Sequence, residues 1–170
     1  MQKYARHILL TICLLFIILL YAKGPIPQDL KYHNFADQRK LLGIPNFWDV
    51  VSNLPMFFLG IIAFAQSFRH LDMRPGLVAK SIPLTLALGI LGASLGSAYY
   101  HYAPDNNTLV CDRLPMTLMF MPLFALLLYD FIGKKFGEWA FWVLVPLGIF
   151  SIFYWQYTET IGQGDLRLYD

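Results

Sequence analysis

Residues 82–102 read IPLTLALGILGASLGSAYYHY, 21 residues without one Asp, Glu, Lys or Arg. A helix needs about 20 predominantly apolar residues to cross the hydrocarbon core of a bilayer. Four further apolar stretches lie at 8–22, 47–68, 109–132 and 139–157. The sequence therefore predicts an all-α fold, a polytopic transmembrane helix bundle of about five spans.

The composition supports a membrane protein and excludes several other classes. Of the 170 residues, 57% are hydrophobic, 14% are charged and 16% are aromatic, and the mean hydropathy is +0.50. Such a chain is neither disordered nor collagen-like. Its net charge of +2 is too small and too dispersed to indicate nucleic acid as a partner. The expected partner is the lipid bilayer, and the two cysteines form no disulfide framework.

The first apolar stretch has two interpretations. Lys3 and Arg6 precede a short apolar core, as in a secretory signal peptide. Cleavage after Ala22 would place Leu20 where a small residue is needed, so an uncleaved anchor is favoured. We expect residues 1–23 to form an N-terminal membrane anchor helix and residues 24–170 to form one transmembrane domain.

The connections between the stretches indicate the orientation, because cytoplasmic loops carry an excess of Lys and Arg. The two sides are almost even, but the cations near 69–80 and 134–135 favour a cytoplasmic N-terminus. Segment 23–46 holds four cations and is rich in Pro, Asp and His. This composition predicts a folded lid on the outer side.

Three polar residues are predicted to converge on that side. Ser97 and His101 are four residues apart and therefore share one helix face. Asp112 follows after a short turn, eleven residues beyond His101, at the start of the next stretch. A neighbouring stripe of small residues lets the two helices approach closely, and it consists of Gly89, Gly92 and Gly96.

A Ser, a His and an Asp at one depth of the bilayer suit hydrolytic chemistry. Imidazole is a common zinc ligand, a carboxylate can take a proton from water, and a hydroxyl can stabilise an oxyanion. Ordinary interpretations are His101 as an interfacial anchor, Asp112 as a helix N-cap and Ser97 as a helix contact. Ionisable residues within membrane proteins are functional candidates by default, so both interpretations stay open.

A second polar cluster lies at the entry to the second stretch and consists of Asp37, Asn46, Asp49 and Asn53. Carboxylate and amide oxygens can hold a hard cation such as calcium. Helix caps and interhelical hydrogen bonds explain the same residues, and this structural interpretation is favoured. Glu159 and Asp165, near the end of the chain, are expected at the surface.

On these residues, 32–168 resembles the alkaline ceramidase family, in particular its bacterial alkaline-phytoceramidase-like members. That family belongs to a superfamily of seven-helix membrane hydrolases. The resemblance lies in the Phe-Trp-x-x-x-Ser-Asn entry at 47–53, the Ser-x-x-x-His pair at 97–101 and Asp112. It implies part of a seven-helix ceramidase fold, in the inner membrane of a bacterium.

The resemblance also implies a reaction and the roles of the residues. His101 would be a zinc ligand, Ser97 would support the oxyanion, and Asp112 would position or activate the zinc-bound water. The implied substrate is a membrane lipid, ceramide, which is hydrolysed to a sphingoid base and a fatty acid. Eukaryotic members hold calcium in an acidic segment before the first conserved span, but the dense Asp-Trp-x-Glu pattern is missing here.

The histidine content departs from the family. Its zinc site is completed by a His-x-x-x-His pair on the last helix, and no histidine follows His101 here. Of the other three, His7, His33 and His70, only His33 is expected on the outer side, as a remote candidate. We expect a chain that is incomplete at its C-terminus and nearly inactive. The alternative is a non-catalytic bundle, either a receptor-like protein, a scaffold or a remnant. The sequence does not indicate an oligomeric state.

Overall fold

The structure is a computed structural model that describes residues 2–69 and 77–169. His70 and the connection around Arg74 lie outside the described residues. The described part is helical, which confirms the predicted fold class. Its helices are α1 (Gln2–Ala22), α2 (Phe47–Val51), α3 (Leu54–Arg69), α4 (Leu77–Tyr102), α5 (Asn106–Phe131) and α6 (Lys134–Thr160), with one 3₁₀ turn at Leu30–His33.

Four helical segments are long and apolar enough to cross a membrane. They are Phe47–Arg69, which joins α2 and α3, Lys80–Tyr102, Asn106–Phe131 and Lys134–Thr160. The apolar part of α1, His7–Ala22, is shorter. At 1.5 Å per residue it extends roughly 24 Å, against a hydrocarbon core of about 30 Å. The described residues therefore contain four spans of full length and one shorter apolar helix.

The span Phe47–Arg69 is interrupted between α2 and α3. Pro55 has no N–H and cannot continue the hydrogen bonding of α2, so the helix is broken just before it. The side chains at the break compensate for the lost bonds: Ser52 Oγ donates to the Asp49 carbonyl at 2.9 Å, and Asn53 Nδ2 donates to the same carbonyl at 2.9 Å. Asp49 thus takes part in this turn through its backbone.

Helices α4 and α5 pack with their backbones in contact. A Cβ added at Gly89 would lie 2.7 Å from the backbone of Leu118, and one at Gly96 would collide with the backbone carbonyl of Cys111. Only glycine permits this approach, which confirms the predicted role of the glycine stripe. The contact aligns the C-terminal end of α4 with the first turns of α5.

Two clusters of buried side chains fill the bundle. One lies towards the start of α4 and joins Ile82, Ala125, Leu128, Ala140 and Phe141. The other lies at the opposite end, where α4 ends and α5 begins, and joins Tyr100, Leu109, Ile152, Trp155 and Leu166. Ile26 and Phe35 pack against this second cluster. The lid segment 23–46 is therefore folded onto the bundle, as predicted.

We expect Gly96→Ala to destabilise the protein by about 1–3 kcal/mol, the usual cost of overpacking. The reason is the collision of the new methyl group with the Cys111 carbonyl, which would force α4 and α5 apart. Leu95→Ala is the matched control, because the Leu95 side chain is 58% exposed on the same helix turn. Unfolding in sodium dodecyl sulfate, followed by circular dichroism, measures both variants. Equal stability of the two would contradict the packing described.

Candidate active site

Ser97, His101 and Asp112 come together where α4 ends and α5 begins. The Asp112 carboxylate lies within interaction range of both the Ser97 hydroxyl and the His101 ring. All three side chains are half-buried. The arrangement follows from the four-residue spacing on α4 and from the tight contact at Gly96.

The His101 ring packs against an aromatic side chain, and one of its nitrogens is buried without a hydrogen-bond partner. Phe35, from the lid, packs against it with ring centroids 4.4 Å apart. Asn46 Nδ2 donates to the His101 backbone carbonyl at 2.7 Å. Nδ1 of His101 is buried and has no hydrogen-bond partner. Since buried polar atoms are normally satisfied, this nitrogen is an open coordination or hydrogen-bonding position.

One of the ordinary interpretations, Asp112 as a helix N-cap, can be compared with the structure. Asp112 is not a helix N-cap, because α5 begins at Asn106 and Asp105 caps it. The Asp105 carboxylate accepts from the Thr108 backbone N–H at 2.7 Å, and this bond lowers the pKa of Asp105 below its ordinary value. The Asp112 side chain therefore has no role in starting the helix.

His33 lies at the same end of the bundle, but both of its ring nitrogens have partners. Nδ1 lies 2.9 Å from the Tyr100 hydroxyl, and Nε2 lies 2.9 Å from Asn106 Oδ1. Since the amide oxygen only accepts, Nε2 carries the proton and Nδ1 accepts from the Tyr100 hydroxyl. In this arrangement His33 offers no nitrogen to a metal.

The residues fit part of a zinc site. His101 Nδ1 and the Asp112 carboxylate suit two positions, whereas a catalytic zinc usually takes three protein ligands. Within residues 2–69 and 77–169, no three or more His, Cys, Asp and Glu side chains come together in a way that could hold a metal. The described residues alone therefore fall short of a catalytic zinc site.

The second predicted cluster has structural partners. Asp37 is buried, accepts from Arg39 Nε through one oxygen and accepts from the Trp48 backbone N–H at 2.9 Å through the other. The hydrogen bond from the Arg39 guanidinium lowers the pKa of Asp37. Asn46 has a left-handed backbone (φ 46°) and binds the end of α4, as described above. These contacts fit the favoured interpretation of caps and interhelical bonds.

The tail after α6 folds back, which makes the predicted exposure of Asp165 wrong. Asp165 is 2% exposed, and it accepts from Arg167 Nη2 at 2.7 Å and from the Tyr154 hydroxyl at 3.2 Å. The hydrogen bond from Arg167 lowers the pKa of Asp165 to about 2. The Leu166 N–H donates to the Ile26 carbonyl at 2.8 Å, so the tail is tied to the lid.

Arg113 was not among the residues predicted for the site. It lies on α5 beside Asp112, is 6% exposed and faces three aromatic rings. The available signal was its place inside an apolar stretch, where a charged residue is costly and is usually functional.

Comparisons of the chain with protein families, with curated proteins and with solved structures find no match. The resemblance of residues 32–168 to the ceramidase family therefore rests on the sequence motifs quoted above.

Proposed function

We propose that the protein is a membrane-embedded amide hydrolase that acts on ceramide-type lipids, with Ser97, His101 and Asp112 as its reaction centre. The observation that carries the proposal is the convergence of these three side chains, with one imidazole nitrogen buried and unpartnered. Buried polar groups at membrane depth are costly, so an arrangement that leaves one open favours a functional role.

Asp112 and Ser97 can supply two of the groups that amide hydrolysis needs, and the proton that Asp112 takes from water can pass on to the leaving amine nitrogen. A proton acceptor must activate the attacking water, and a donor must stabilise the oxygen that becomes negative. The Asp112 carboxylate suits the first role and the Ser97 hydroxyl suits the second. In the structure the Ser97 hydroxyl lies near the Asp112 carboxylate, so it would turn towards the substrate oxygen when a substrate binds.

An apolar cavity beside the centre suits a lipid substrate. It has a volume of about 320 Å³ and lies between the α2–α3 break and α4. Ala98, one turn before His101, and Asn53, at the break, both line it. Its surface is almost entirely apolar, which fits an acyl chain better than a polar substrate.

The resemblance to the ceramidase family adds zinc-dependence to the proposal. A catalytic zinc would require one more protein ligand besides His101 and Asp112. The same shortage favours a second candidate, a non-catalytic membrane bundle with a receptor-like or scaffold role. In that case Ser97, His101 and Asp112 only join α4 to α5. The two candidates differ in whether replacing His101 changes chemistry or only stability.

We expect the purified chain, in lipid nanodiscs, to hydrolyse a fluorescent ceramide only slowly, and only when zinc is added well above trace levels, because two donors bind the metal weakly. His101→Ala should abolish this turnover. Ser97→Ala should lower kcat by about 10²- to 10³-fold, the usual cost of losing an oxyanion donor. Ser151→Ala is the control, since its hydroxyl is likewise buried and bonds the Gly148 carbonyl at 2.7 Å on α6.

The outcomes separate the two candidates. Turnover that is zinc-dependent, unchanged in Ser151→Ala and absent in His101→Ala supports the hydrolase. Folded protein that never hydrolyses ceramide, at any zinc concentration, contradicts it and leaves the non-catalytic bundle. Tight binding of one zinc per chain without added metal would show that a third ligand exists.

We also infer that the N-terminus is cytoplasmic and that the reaction centre faces the outer side of a bacterial inner membrane. In a background without Cys13 and Cys111, a cysteine at Asn106 should react with a membrane-impermeant maleimide applied to intact cells. A cysteine at Gly76 should react only after the membrane is permeabilised. The reverse pattern would overturn this orientation.

A further inference from the structure

Arg113 is a buried cation inside an aromatic cage. It lies on the second turn of α5, next to Asp112, and is 6% exposed. Its guanidinium carbon lies 4.6 Å from the ring centroid of Trp155, 4.9 Å from that of Tyr169 and 5.5 Å from that of Tyr32. The cage thus joins α5, α6, the lid and the tail around one positive charge.

The charge of Arg113 has no ion-pair partner in the described part of the chain. Its Nη1 atom is buried and forms no hydrogen bond, and neither of the ion pairs seen there includes it. The Asp112 carboxylate interacts electrostatically with Arg113, but the two side chains do not form an ion pair. Three other carboxylates at this end have their own partners: Asp105 with Thr108, Glu159 with Gln28 and Trp155, and Asp165 with Arg167 and Tyr154.

Aromatic rings compensate such a charge only in part. A ring attracts a cation over its face, but the guanidinium group also carries five N–H donors. Charged residues inside membrane proteins normally pair with an opposite charge or with carbonyl groups. The buried, unbonded Nη1 of Arg113 therefore has a donor site to fill.

We propose that Arg113 and its cage form a binding site for an oxyanion of the carboxylate or phosphate type. The planar guanidinium fork matches the oxygens of such groups, and the cage excludes competing water. Tyr32 is 53% exposed whereas Trp155 is fully buried, so the cage opens on the side of Tyr32. The site does not depend on the proposed hydrolase activity.

A polar cavity of about 200 Å³ also borders Trp155, and it is lined by the carboxyl-bearing residue Glu159. Oε1 of Glu159 accepts from the Gln28 backbone N–H at 2.6 Å and from Trp155 Nε1 at 3.2 Å. A negative carboxylate repels an anion from that cavity. The oxyanion is therefore placed at the guanidinium group, on the Tyr32 side.

The test uses the full chain in dodecyl maltoside, in a buffer without phosphate or carboxylate. Orthophosphate, acetate and phosphatidylglycerol in mixed micelles are titrated separately, and tryptophan fluorescence and the Tm are recorded. Arg113→Gln should weaken binding by about tenfold or more, since charge-assisted bonds are lost. Lys135→Gln, an exposed cation at the start of α6, is the matched control and should bind like the wild type.

The three titrations distinguish the source of the anion. Binding of orthophosphate or acetate alone identifies a free oxyanion, whereas binding of phosphatidylglycerol alone identifies a lipid headgroup. Circular dichroism checks that Arg113→Gln is folded. If it is not, Arg113→Lys, which keeps the charge but loses the fork, should show an intermediate loss.

Two results would overturn the proposal. One is that the fluorescence and Tm of the wild type respond to none of the three anions, or that Arg113→Gln responds to them as strongly as the wild type. The other is a wild type that responds to none of the anions, together with an Asp170→Asn variant that has a lower Tm than the wild type. That result would mean that the Asp170 carboxylate fills the cage.

Discussion

The backbone contact between Gly96 of α4 and Cys111 of α5 is the constraint on which the rest of the structure depends. Because no side chain separates the helices there, Ser97 and Asp112, the next residues on each, fall within hydrogen-bonding range. His101 follows one turn later on the same face. The candidate active site is thus a consequence of how closely two membrane helices approach.

The end of the bundle where α4 meets α5 carries the polar groups that this contact brings together. The lid and the tail satisfy most of them, through Asp37 and Asp165 in particular. Among the described residues, the buried side-chain atoms left without a partner belong to Gln28, His101 and Arg113. All three lie at this end, and two of them are adjacent to Asp112 in the fold or the sequence. Unsatisfied polar groups concentrate where a ligand would bind.

Local signals in the sequence predicted most of the fold. Apolar length located the spans, and the glycine stripe predicted the α4–α5 contact. Helix ends were less accurate: α5 begins at Asn106 rather than at 109, because the Asp105 cap starts it earlier, and α6 extends to Lys134 and Thr160, beyond the apolar stretch itself. The Ser97–His101–Asp112 cluster was predictable because all three residues lie near one turn. Asp165 and the cage of Arg113 were not, since they depend on the tail folding back over segments far away in sequence.

Ser97 and Asp112 face each other across the α4–α5 contact. Disulfide cross-linking in native membranes can detect this arrangement, with Ser97→Cys and Asp112→Cys in a background without Cys13 and Cys111. Bridging requires Cα atoms about 4.4–6.8 Å apart. We predict rapid cross-linking of this pair, detected by mass spectrometry after cleavage in the loop between the helices, and none when Leu95→Cys replaces Ser97→Cys. Cross-linking from Leu95 but not from position 97 would contradict the account.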